Sequence, residues 1–136
     1  MRGADGGTWR RICGLPALWA GIFYDANSLD AAWDLVKGWT VEERQAMRDA
    51  VPMQAFATPF RNTNVHELAR RMLEIATQGL RARNILDASG ANEEGFLQPL
   101  WELVDRHETR AEELLRHYRA DWQGDLCKLF EAYNFI

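Results

Sequence analysis

Three arginines near the start of the chain, Arg2, Arg10 and Arg11, lie on either side of the run GADGG at residues 3–7. Glycines let backbone N–H groups come close to an anion. Arginine adds a planar, permanently charged fork that matches phosphate or carboxylate. Together they could hold a phosphate; the competing reading is a solvated terminus. GADGG is neither a P-loop nor GxGxxG. His66, His107 and His117 lack metal-ligand spacing and read as surface or packing residues, so no metal site is expected. Cys13 and Cys127 have no CxxC partner, and each reads as a small buried hydrophobe. No serine sits in a strand–turn–helix elbow, so a Ser–His–Asp mechanism has no support. The pairs Glu42-Glu43, Glu93-Glu94 and Glu112-Glu113 fall at helix starts, where they complement the dipole.

The elements that must position these residues read as helices. "LPALWAGIFYD" gives a short apolar helix from about Pro16 to Asp25. Leu15, Leu18, Trp19, Ile22 and Phe23 form its large face, Ala17, Ala20 and Gly21 its small one. Such a helix must be covered on several sides. Asn27 or Ser28 caps the next, which stops near Gly38. Thr40 and Glu43 have capping-box spacing, and Pro52 ends the helix they open. Pro59 makes "MQAFATPFRN" irregular. Asn64 and Glu67 are a second capping-box candidate and open the clearest helix, striped by Val65, Leu68, Ala69, Met72, Leu73, Ala76 and Leu80, running to about Ala88. A helix with Pro99 in its first turns follows, then one capped by Thr109 and Glu112, then a last short one carrying Leu126, Leu129, Phe130 and Tyr133. No strand pattern of convincing length occurs. The expectation is all-α: six or seven helices joined by short loops.

At 136 residues the chain is one domain with 47% hydrophobic and 26% charged residues, ordinary globular values. Sixteen basic against twenty acidic side chains give −4 and argue against a nucleic-acid partner. No apolar run reaches the ~18 residues of a membrane span, and no signal peptide is evident. Two cysteines suit reduced thiols and a cytoplasmic location. Six tryptophans supply aromatic area for a core or an interface.

"MRGADGGTWRRICGLPALWAGIFYD" closely resembles a segment of plant and proteobacterial glutamate–cysteine ligases. "SLDAAWDLVKGWTVEERQAMRDAVP" resembles the next two helices of that family and "TPFRN" its connecting loop. "GFLQPL" and "TRAEELLRHYRADWQGD" resemble its C-terminal part. The resemblance implies the C-terminal helical third of a larger glutamine-synthetase-like α+β ligase. Residues 1–14 would be an active-site loop remnant and 15–136 the helical C-terminal part.

Such ligases join the γ-carboxyl of glutamate to the amine of cysteine in glutathione biosynthesis, through an acyl phosphate. ATP and Mg²⁺ serve the whole enzyme, held with glutamate on an upstream antiparallel sheet; this chain alone is expected to hold neither and to be inactive. Arg2 stands where the family has a substrate- or phosphate-contacting arginine, with Arg10 and Arg11 as further candidates. Cys13 matches a position that in plant members joins a redox-sensitive disulfide with an upstream cysteine. Without that partner a reduced, packed Cys13 is expected; no role carries over to Cys127. The implied partner is the sheet-bearing part of the ligase, with self-association through the apolar first helix. Two alternatives remain open: a stand-alone helical interaction module, and a small anion-binding protein using Arg2, Arg10 and Arg11.

Overall fold

The computed structural model describes residues 9–132. Among the described residues, seven helices of six or more residues follow one short helical turn: α1 (Trp9–Ile12), α2 (Gly14–Phe23), α3 (Ala26–Val36), α4 (Val41–Gln54), α5 (Val65–Arg83), α6 (Gln98–Arg106), α7 (Arg110–Ala120) and α8 (Cys127–Ala132). The strands β1 (Pro59–Phe60) and β2 (Thr63–Asn64) pair antiparallel over two residues each, Pro59 opposite Asn64 and Phe60 opposite Thr63. The all-α expectation holds, with this small hairpin added.

Local chemistry explains most boundaries. Thr40 and Glu43 form the expected reciprocal box at α4: Glu43 N–H donates to Thr40 Oγ1 (3.2 Å) and Thr40 N–H to Glu43 Oε2 (2.8 Å). Thr109 and Glu112 repeat it at α7. Asn64 Oδ1 accepts from Glu67 N–H (3.0 Å) at α5.

Three boundaries differ from the expectation. Asp25 caps α3, its Oδ2 accepting from Ser28 N–H (2.9 Å), so Asn27 and Ser28 lie inside the first turn. Pro52 does not end α4, which runs on to Gln54 and breaks at Ala55, φ 47°. Near a helix end a proline forfeits one ladder bond without stopping the last turn. Helix α5 stops at Arg83, short of Ala88, because Asn84 turns left-handed (φ 50°, ψ 43°) and returns its N–H to Leu80 and Arg81. Asp87 Oδ1 then gathers Ser89 and Ala91 N–H groups into a tight loop.

The core lies between α2, α5 and the 3-10 turn Glu93–Leu97 that leads into α6. It holds Ala17, Ile22, Ala32, Leu73, Ala76, Leu80, Leu97 and Val104. Helix α2, expected to need cover on several sides, meets the core through its small face and Ile22. Gly14, Ala17, Gly21 and Ile22 are buried, whereas Trp19 (44% exposed) and Phe23 (54%) stack on each other at 5.1 Å facing outward. The reason is backbone proximity. A methyl group on Gly79 would fall on the Gly21 carbonyl oxygen, and one on Gly21 would fall on that of Ala76. Two glycines thus let α2 and α5 cross at main-chain contact, which larger side chains would prevent. Only small residues can dock this closely; of the large face, Ile22 is buried and Leu18 packs against the core, while Trp19 and Phe23 are left outside.

Candidate functional site

Helix α1 is a single turn carrying Arg10 and Arg11, and Cys13 forms the joint to α2. Arg2 lies outside the described residues. Arg10 meets Glu102 on α6 in a two-bond fork, Nη1 to Oε2 at 3.1 Å and Nη2 to Oε1 at 2.6 Å. Arg11 Nη2 stands 3.7 Å from Glu113 Oε2 on α7, and Arg110 Nη1 donates to the same oxygen at 2.6 Å. Burial pushes the Glu113 carboxyl up. The Arg110 hydrogen bond and the charges of Arg110 and Arg11 outweigh it, and the group ends below the usual carboxylate range. The two neighbouring arginines thus face different carboxylates, Arg10 one on α6 and Arg11 one on α7.

Cys13 corrects an expectation. It is a free thiol but exposed rather than packed, and so is Cys127. A residue joining two helices contributes its backbone to the bend and need not turn its side chain inward.

Two further clusters were not legible from spacing. His66, 4% exposed, donates Nε2–H to the Val104 carbonyl (2.7 Å) and stacks on His107 with ring centroids 3.7 Å apart. His107 caps α6 in the left-handed region, φ 54°. The pair ties the start of α5 to the end of α6, which makes His66 a packing histidine. Its only sequence signal is its place at the first turn of a striped helix. Arg61 is the second cluster. Set at φ 51° in the hairpin turn, it donates Nε to Glu43 Oε1 (2.7 Å) and Nη2 to Glu43 Oε2 (2.6 Å), and reaches the Gly38 carbonyl as well. With Arg61 as its first hydrogen-bond partner and the Thr40 N–H as its second, the Glu43 carboxyl is held down to about 2.

The carboxylates are thus engaged one by one: Glu43 by Arg61, Glu102 by Arg10, Glu108 by Arg116, Glu113 by Arg110. Among the described residues no three His, Cys, Asp or Glu side chains gather as a metal-ligand set. These residues do not fit a Mg²⁺ cage, which wants several free oxygens around one point. No described helix is long and apolar enough to cross a membrane.

This helical frame carries two arginines on its leading turn, each set against a carboxylate of a later helix. Its family is explicit in sequence: the profile of glutamate-cysteine ligase family 2 (GCS2) matches residues 1–132, and the chain belongs to that family. It is 43% identical over 131 residues to the chloroplastic glutamate–cysteine ligase of Arabidopsis thaliana, an alignment covering 96% of this chain and 24% of the relative. Similarity to the chloroplastic glutamate–cysteine ligase A of Oryza sativa subsp. indica is 41%, covering 96% and 25%. For the Nicotiana tabacum enzyme it is 42%, covering 96% and 24%. The chain therefore spans about a quarter of the length of these relatives, somewhat less than the expected third.

Proposed function

We propose that this chain is the helical segment of an ATP-dependent ligase that joins the glutamate γ-carboxyl to the amine of cysteine. The observation that carries the reading is the unbroken similarity of 131 residues, 96% of the chain, to glutamate–cysteine ligases. In that reaction the γ-carboxylate takes the terminal phosphoryl group of ATP, releasing ADP. The cysteine amine then attacks the acyl carbon, expelling phosphate and losing a proton. Mg²⁺ would supply charge neutralisation from carboxylates elsewhere in the enzyme, since none of the described ones gather as a ligand set of three.

Arg2 is this chain's direct contribution, a fixed cation for the phosphate being transferred. The remaining residues form the frame behind it. The outward Trp19–Phe23 stack is the surface on which the sheet-bearing part of the ligase packs. Burying two large aromatics there offsets much of the cost of docking. A reducing cytoplasmic compartment suits the two free thiols. The same exposed aromatic pair favours, as second reading, a helical module that binds a partner protein without catalysis.

The test replaces the matching quarter of the Arabidopsis ligase with residues 1–132. The hybrid should form γ-glutamylcysteine from ATP, glutamate and cysteine, while the 136-residue chain alone should form none. Arg2→Ala in the hybrid should lower kcat by about 100-fold or more. A hybrid indifferent to that change removes Arg2 from the site. Product from the chain alone overturns the reading of it as a supporting segment.

A further inference from the structure

Helix α1 has four residues, too few to hold a helical turn by itself. Its placement has to come from contacts outside it. Two adjacent side chains provide them, and they reach different helices: Arg10 to Glu102 on α6, Arg11 to Glu113 on α7. The first contact is bidentate, which fixes orientation as well as distance. The second is shielded, with 21% and 15% of the two side chains exposed, and Glu113 is itself pinned by Arg110. One contact would leave α1 free to roll; two on neighbouring helices, each weak by itself, together restrict its rotation. On the other side of the joint, Gly14 abuts α6, where an added methyl group would stand 3.3 Å from Leu100 Cγ.

We propose that Arg10 and Arg11 are positioning residues. They clamp α1 onto α6 and α7 and so set the point and direction from which the segment carrying Arg2 leaves the helical frame. This rests on the ligase reading above. It differs from the expectation that Arg10 and Arg11 themselves bind phosphate. The Arg10 fork is already filled by Glu102, and a phosphate would have to displace that carboxylate. The clamp therefore acts through the placement of α1, and its function depends on opposite charge at positions 10 and 102, not on which position carries the cation.

Charge exchange separates the two roles. Arg10→Glu and Glu102→Arg are made singly and together, in the full 136-residue chain and in the Arabidopsis hybrid. In the chain, amide hydrogen exchange of peptides spanning residues 9–23 should speed up about three- to fivefold in each single variant and return toward the original rate in the double. In the hybrid, each single variant should lower kcat by about 10- to 100-fold with the KM for ATP little changed, and the double should recover most of the loss. A double variant as impaired as Arg10→Glu, with a raised KM for ATP, makes Arg10 a phosphate ligand and overturns the proposal. Unchanged exchange and kcat in the single variants overturn it equally. Should Arg10→Glu unfold the chain, Arg10→Gln and Glu102→Gln serve instead. Each should reproduce the faster exchange, and their combination should add little beyond either alone; additive effects count against a clamp. The exchange readout stands whether or not the hybrid is active, so failure of the clamp and failure of the ligase reading are told apart.

Discussion

The crossing of α2 and α5 and the pair α7–α8 are built on opposite principles. At the crossing, main chains touch through Gly21 and Gly79, and Ala76, Leu80 and Leu97 are fully buried around them. In α7 and α8 no residue is buried, and Leu115 and Phe130 are exposed, as is Leu126 just before α8. Caps and ion pairs hold that region: the Thr109–Glu112 box, Arg116 on Glu108, and Glu113 between Arg110 and Arg11. Close packing fixes a geometry to fractions of an ångström and tolerates no added atoms. Charge pairs at a surface fix it weakly and can be exchanged. The first region is the anvil of the fold. The second can adjust, and α1 is fastened in part to it.

The sharpest way to break this contrast is Gly79→Ala. The new methyl group meets backbone rather than a movable side chain, so the helices must separate. A loss of at least about 3 kcal/mol is expected, read as a fall in Tm or in the urea midpoint. A variant of unchanged stability would mean that the crossing is looser than described. Next comes Leu97→Ala, which empties a fully buried site and should cost about 2–5 kcal/mol in the same measurement.

Thr109→Ala tests the other region. It should cost about 1 kcal/mol, with faster amide exchange confined to α7 and the core unaffected. Exchange that spreads to α5 would show the two regions to be one cooperative unit. The smallest effect is Glu43→Gln, and it depends on pH. The Glu43 carboxyl is depressed from 4.5 to about 2 by the Arg61 hydrogen bond and then the Thr40 N–H. A depressed carboxylate stabilises the fold above its unfolded pKa, and that contribution disappears as the pH falls through the folded value. The Tm gap between the original chain and Glu43→Gln should be full above pH 4.5 and close toward pH 2. A gap of constant size across that range would detach the effect from ionisation.

Sequence reading succeeded where the physics is local. A Thr followed three residues later by Glu is a complete instruction for a capping box, and both such boxes form. The stripe of α5 located its core face, because Leu68, Leu73, Ala76 and Leu80 repeat at helical spacing and are buried. It failed where the deciding partner is distant in the chain. Hydrophobic bulk calls for cover on several sides of α2 without saying which face meets the core; Gly79 decides the matter by offering Gly21 a place at main-chain contact. At the candidate site, residue type singled out Arg10 and Arg11, and the adjacency to glycines suggested an anion. Nothing near them in sequence announces Glu102 or Glu113. The same gap explains Cys13: its type favours burial, and the bend between α1 and α2 overrides that preference. The His66–His107 stack also needed the fold, since it joins the start of one helix to the left-handed end of another.

The most direct test follows oxygen. Glutamate carrying ¹⁸O at both γ-carboxyl positions is supplied with ATP and cysteine to the Arabidopsis hybrid containing residues 1–132. If this segment completes a working ligase, each turnover places one labelled oxygen in inorganic phosphate and keeps the other in the amide of γ-glutamylcysteine. A hybrid that folds with the parent's circular dichroism and Tm, yet yields neither labelled product, would contradict the account.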